Sequence, residues 1–419
     1  MTKRDLLVGA TFAVAVTALF AGSSMLRKSA MAAAVQAPQF EVDPLWPKPL
    51  PNHWVMGMTI GVSVDARDHV WIVHRSGSND PGEQHAAATP PSAECCSPAP
   101  PILEFDQAGN LLRHWGGPGA GYNWPDSNHG ITIDYKGNVW IGGNGRGRPP
   151  GAAGAAPPRN VPPEEGQTDL TGYWNDNMIL KFTHDGKFLM QIGQPNGTKG
   201  SNDVANLRLP AKTFVDPKTN EVYVADGYGN HRVIVYDAET GKYKRHWGAY
   251  GHKPDDTNLG RYNPDAPPAQ QFRNPVHCAE LSTDNLLYVC DRVNDRIQVF
   301  KPDGTFVREQ FIAKRTLAAG SVWDIAFSKD PQQKYIYLCD GENEKVYIMD
   351  RATLQVLTSF GDGGRQPGQF YGVHSIAVDS KGNIYTTETY QGHRLQRFNY
   401  KGIGPVTKMD QGVVWPKGR

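Results

Sequence analysis

A strand–turn–strand unit that recurs along the chain limits its fold more than any other feature. The unit is an apolar strand ending in Asp or Ser, a tight turn, a second strand, a polar link, a third strand and a turn rich in Asp and Gly. It is clearest in HCAELSTDNLLYVCDRVNDRIQVFKPDGTFVREQF and AKTFVDPKTNEVYVADGYGNHRVIVYDAETGKYKRHW, and returns as HSIAVDSKGNIYTTETYQGHRLQRFNYKG. HGITIDYKGNVWIGG and IGVSVDARDHVWIVHR open two more units that resume after insertions, and WDIAFSKDPQQKYIYLCDGENEKVYIMDRATLQVLTSFG is the most degenerate. Val, Ile, Tyr and Phe alternate with polar residues, the period of strands. Lys136-Gly137-Asn138 and Lys381-Gly382-Asn383 suit tight hairpins. A small antiparallel sheet cannot bury both of its faces alone, whereas six packed radially can, with only short edges left. The expectation is an all-β, six-bladed β-propeller over residues 39–404, with Gln39 to Trp46 giving a strand to the last blade.

The flanks and insertions read differently. Lys3 and Arg4 precede an apolar run from Leu6 to Gly22, and small residues follow at Ala30 to Ala34. Residues 1–34 therefore read as an export signal, placing the mature protein in the periplasm or outside the cell; retained, the segment would anchor the chain to a membrane. The stretches 76–101 and 146–175, rich in Gly, Pro, Ala and Asn, read as loops, and 405–419 as a C-terminal tail. With 43 basic and 42 acidic residues, the charge balance gives no electrostatic case for a nucleic-acid partner. Export permits disulfides, but 5 cysteines are too few and odd in number for a framework. Small buried residues, or one incidental bridge, is the expected state for them.

Aligning the first strand of each unit on its terminal Asp or Ser (Asp65, Asp134, Asp216, Ser282, Ser328, Asp379) fixes one position five residues earlier. Its occupants are Ile60, His129, Ala211, His277, Trp323 and His374. First strands line the central channel of a propeller, so histidines in blades two, four and six converge a third of a turn apart. Three imidazoles with an open fourth position suit a catalytic zinc, and iron, manganese or copper as well. Antiparallel pairing brings the end of each second strand to the same face. Arg75 ends it in blade one, Arg292 in blade four, and Tyr228 lies one residue further on in blade three. Both insertions leave from this face. A metal, two guanidiniums and a phenol there point to a small anionic substrate. Arg232, Arg296, Lys345 and Arg394 recur on third strands and read as structural, pairing with a neighbouring blade; His231 and His393 beside them share that reading. Glu388, at the end of the second strand in blade six, is a weaker candidate for the site.

With these residues assembled, the repeats are of NHL type and the chain resembles the peptidyl-α-hydroxyglycine α-amidating lyase family from about Gly57 to Phe398. The likeness rests on the Val-His-Arg ending at Arg75, His-Gly-Ile-Thr-Ile-Asp from His129, Asp-Gly-Tyr-Gly-Asn around Tyr228, the His277 segment with Asp291-Arg292, and His374. It implies a zinc held by His129, His277 and His374, with Arg75 and Tyr228 catalytic and Arg292 near the substrate. It also implies a structural calcium partly held by the carbonyls of Val62 and Ile131. Ser375 stands where the family has an Asp, which removes a carboxylate that a hard cation favours. Gly229 likewise follows Tyr228 where the family has a Cys. The implied reaction splits an N-acyl carbinolamide into an amide and glyoxylate. The same three histidines suit a lactone or ester hydrolase, and the same fold suits a non-catalytic binding propeller.

Overall fold

The structure, a computed structural model, describes residues 35–146 and 174–417; the expected export signal and most of the second insertion lie outside these. Each blade starts from a hairpin set by its first-strand terminal residue. The Asp134 carboxylate accepts the backbone amides of Lys136 and Asn138, and Asp379 does the same for Lys381 and Asn383. Asp65 closes its turn through Arg67 and His69, while Ser282 and Ser328 use hydroxyls to accept the amides of Leu286 and Tyr335. A short polar side chain that satisfies turn amides is the physical content of the recurring Asp or Ser.

Six four-stranded antiparallel sheets follow. Their inner strands are Met58–Val64, Asn128–Ile133, Lys212–Asp216, Val276–Leu281, Asp324–Phe327 and Val373–Val378. The all-β, six-bladed β-propeller is therefore the observed fold. In blade six the fourth strand comes from the N-terminal side: Gln36–Asp43 pairs antiparallel with Arg394–Pro405 and closes the ring. Second strands are covered on both faces, as in Glu221–Asp226, where every residue is buried. They carry the wedges between blades: Trp71, Trp140, Tyr223, Tyr288, Tyr337 and Tyr385 hold equivalent places and are among the largest fully buried side chains. Rings of this size bury large apolar areas and leave little freedom of packing angle, which holds the blades at fixed azimuth.

The first insertion is a loop of short 3-10 turns, tied down where Ser97–Pro98 pairs in parallel with Trp54–Val55. The recurring third-strand arginines are structural, but their partners correct the expectation of a neighbouring blade. Arg232 bonds Asp226 of its own blade at 2.8 Å, and Arg296 bonds Asp291 of its own at 2.7 Å. The remaining guanidinium hydrogens of Arg232 go to the Ser201, Asp203 and Asn206 carbonyls of the chain entering the blade, while Arg296 bonds the Ala269 and Gln271 carbonyls, the Tyr250 hydroxyl and the Glu309 carboxylate of its own blade. Arg394 repeats this with Glu388, whose buried carboxylate also takes Gln396 and the Tyr371 amide, so Glu388 belongs to the scaffold. Lys345 pairs with Asp410 of the tail. His231 bonds the Phe272 carbonyl, and His393 lies 4.0 Å from Glu83 of the first insertion.

The cysteines depart from expectation. Cys278 and Cys290 are bonded across the first hairpin of blade four, and neighbouring Cys95 and Cys96 are bonded to each other. Two bridges stand where one at most was expected; Cys339 is free and buried.

Candidate metal centre and its arginine-lined mouth

Inner strands carry a local irregularity where the histidines sit. Register shifts between His129 and Ile131, between Val276 and Cys278, and between Val373 and Ser375. His277 and His374 are thus the extra residues of bulges, which re-aim a side chain out of the regular pleat. In blade two the extra residue is Gly130, at φ +67°. A Cβ there would lie 2.3 Å from the Ala211 carbonyl oxygen, so glycine is required on both counts.

The three rings meet on the axis, with centroids 5.0 Å apart for His129 and His277 and 4.8 Å for each with His374. Their ligand atoms all lie within 4.8 Å of one another. Each Nδ1 bonds a backbone carbonyl of the next blade: His129 to Ala211 at 2.8 Å, His374 to Ile60 at 2.8 Å, and His277 to Trp323. These acceptors are the non-histidine members of the same aligned ring of six positions. A carbonyl can only accept, so each Nδ1 carries the proton and each Nε2 presents a lone pair inward. Burial, reinforced by Arg75 and then Arg292, pushes His129 down to about 3. Burial, followed by Arg292 and the other two imidazoles, holds His277 well below its ordinary value. His374 is also far below, through burial, His129 and the two guanidiniums. Three neutral imidazoles with fixed tautomers and converging lone pairs fit a divalent transition metal.

Tyr228 leans over this centre. Its hydroxyl lies 3.0 Å from His129 Nε2 and 3.1 Å from His277 Nε2, and accepts a hydrogen bond from Arg292 Nη1 at 3.1 Å. The Arg292 guanidinium stacks 4.4 Å from the Trp323 ring centroid, a support that sequence reasoning did not assign. Arg75 is aimed by the Asn128 carbonyl, at 3.2 Å from Nε, and by the Asn144 amide oxygen, at 2.8 Å from Nη2. The structure thus brings His129, His277, His374, Tyr228, Arg292 and Arg75 to one end of the channel.

Two further supports had no sequence signal. Asp176 is fully buried beside the second insertion and accepts the amides of Asp126, Ser127 and Gly145. Burial raises it to about 7 against the pull of these donors. Within the channel, Ser375 donates to Asp324 at 2.6 Å, and Lys212 bridges Asp324 and Glu280 at 2.8 Å each. The carboxylate bonded to Ser375 is therefore already neutralised by an ammonium group. Val62 and Ile131 are buried on inner strands beside this layer. Asp65 and Glu104 of blade one also cluster with His184 of blade two, but Arg67 and Arg113 already pair with these carboxylates, making an ion-pair network.

Comparison with known proteins agrees with this architecture. The NHL repeat model matches residues 207–236, the stretch of blade three that carries Tyr228 and Arg232. Peptidyl-glycine alpha-amidating monooxygenase of Mus musculus is 24% identical over 268 residues, 62% of this chain and 22% of that protein. Peptidyl-alpha-hydroxyglycine alpha-amidating lyase 1 of Drosophila melanogaster is 24% identical over 388 residues, 85% of this chain and 59% of that protein. NHL repeat-containing protein 3 of Homo sapiens is 25% identical over 307 residues, covering 70% of this chain and 67% of that one. A streptogramin B lyase structure is similar at 15% identity with a TM-score of 0.48, over 87% of this chain and 98% of that chain. The propeller thus carries an NHL repeat match in blade three, has distant relatives among amidating enzymes, and spans about a fifth of the monooxygenase's length (22%).

Proposed function

We propose that this protein is a metal-dependent lyase that cleaves N-acyl carbinolamides of the α-hydroxyglycine type into an amide and glyoxylate. The observation that carries the reading is the meeting of three inward lone pairs, the Tyr228 hydroxyl and the Arg292 guanidinium within hydrogen-bond reach. His129, His277 and His374 would hold the metal, zinc being the first candidate, which supplies a Lewis acid that acidifies the substrate hydroxyl. Arg75, fixed from behind by Asn128 and Asn144, binds the substrate carboxylate. Tyr228 takes the hydroxyl proton as general base. As the C–O bond becomes a carbonyl, the C–N bond breaks and the amide nitrogen receives a proton, which the Tyr228 hydroxyl is placed to return. Arg292 orients the phenol throughout. The export signal expected of residues 1–34 places this chemistry outside the cytoplasm.

The test is a substrate panel on protein of measured metal content. α-Hydroxyhippurate should yield benzamide and glyoxylate in equal amounts, with loss on chelation and recovery on adding zinc. Turnover of lactones or esters with carbinolamides untouched would replace the lyase by a hydrolase. Purified protein without transition metal and inert toward all of them would leave a binding propeller.

A further inference from the structure

Beyond the metal centre, Tyr228 and Arg292 also line a cavity of about 1060 Å³ that runs outward over blades three and four. Among the described residues its wall carries five guanidiniums, those of Arg146, Arg208, Arg261, Arg273 and Arg292, against the single carboxylate of Asp256. That carboxylate is already engaged by the amide and hydroxyl of Ser201. The buried carboxylates behind the wall, Asp226 and Asp291, are matched by Arg232 and Arg296 and do not offset the excess. Arg273 spends its hydrogens on Asn294 and on the carbonyls of Leu259 and Gly260, with no ion pair among the described residues. Arg208 and Arg261 are exposed to the cavity and have no carboxylate partner among the described residues.

The placing of Arg208 is specific. Its aliphatic stem crosses Gly229, where a Cβ would lie 2.3 Å from Arg208 Cγ and 2.7 Å from Cδ. Gly229 is therefore what lets a guanidinium pass directly beside Tyr228. One carboxylate of an α-hydroxyglycine unit needs only Arg75. The charge beyond it is in excess of that need, and a cleft of one sign concentrates ligands of the other.

We infer that the acyl half of the substrate carries a second anionic group, a carboxylate or a phosphate, seated by Arg208 and Arg261. The inference rests on the lyase reading for the reacting half and adds the class of its leaving amide: a dianionic N-acyl compound, not a neutral peptide.

The experiment uses the full metal-loaded protein and unreactive glycine conjugates that lack the α-hydroxyl. Calorimetry should find N-succinylglycine and N-(phosphonoacetyl)glycine binding at least about tenfold tighter than N-hexanoylglycine, as expected for one charge-assisted contact in a partly open cleft. Which of the two binds tighter identifies the anion. Arg208→Ala and Arg261→Ala should each remove most of that preference while leaving the affinity for N-hexanoylglycine unchanged. Higher salt should weaken the dianions more than the monoanion. Equal binding of all three conjugates, or a preference that survives both substitutions, overturns the inference and leaves the lyase reading standing. A dianion preference in protein inert toward every carbinolamide supports the cleft assignment and refutes the lyase.

Discussion

Removing only the hydroxyl of Tyr228 should have two opposite effects. In Tyr228→Phe the ring contacts stay, but His129 Nε2 and His277 Nε2 lose the one donor they share, and Arg292 Nη1 loses its acceptor. In metal-free protein a buried acceptor left unsatisfied costs about 2 kcal/mol, within the usual range. With zinc bound the imidazole lone pairs are engaged, and the remaining loss at Arg292 is about 0.5 kcal/mol because the open cavity admits water. The Arg292 loss is common to both states and cancels, so the difference, about 2 kcal/mol, appears as metal affinity, and the variant should bind zinc about thirtyfold tighter. Turnover should nonetheless fall by about 10² to 10⁴, the usual worth of a positioned general base. Chelator competition measures the first quantity and glyoxylate release the second. Weaker zinc binding would make the phenol a ligand, not a competitor for the lone pairs, and unchanged turnover would remove it from the chemistry; either refutes the reasoning.

Other expectations follow from the scaffold. Arg232→Ala should destabilise the fold by about 3–5 kcal/mol, read from denaturant unfolding, because it strands the fully buried Asp226 carboxylate. Metal-free protein should lose stability in acid. Burial lowers His74 from 6.5 to about 4 and His129 from 6.5 to about 3, so both contributions are complete above pH 6.5 and shrink as pH falls toward those values. At pH 5 each histidine costs about 2 kcal/mol, and a flat stability profile between pH 7 and 5 would contradict the burial argument. Thiol titration of native protein should find no reactive cysteine, and denaturation without reductant should release one, Cys339, whose thiol burial pushes far up.

The sequence made the ring legible because the signals were local and repeated. A terminal Asp or Ser that caps each first hairpin, and an aromatic in each second strand, recur in every blade. The same register carried the three histidines, since alternate blades of a ring must face one another across its axis. What lay hidden depends on backbone placement, not residue type. The carbonyls of Ile60, Ala211 and Trp323 fix the imidazole tautomers, yet a carbonyl leaves no mark in the alphabet. Cys278 and Cys290 were misjudged because a bulge shifts their register into cross-strand contact. Third-strand arginines were assigned to the wrong blade because their carboxylates stand five or six residues earlier, across a turn of the same blade. Lys212, Asp324 and Glu280 come from three inner strands and meet only in the closed channel.

That closed channel would make ring assembly and capture of the proposed metal a single event. His374 takes its tautomer from the Ile60 carbonyl across the seam between last blade and first, a contact spanning 314 residues of chain. A partly built ring can present His129 and His277, but it lacks both the third ligand and the carbonyl that orients it. Two imidazoles hold zinc far more weakly than three, so for the proposed metal an unfinished chain would remain metal-free while a finished one would be stabilised by the ion. The seam is thus where the third candidate ligand and the carbonyl that orients it come together, so a metal held by all three histidines would oppose reopening of the ring there.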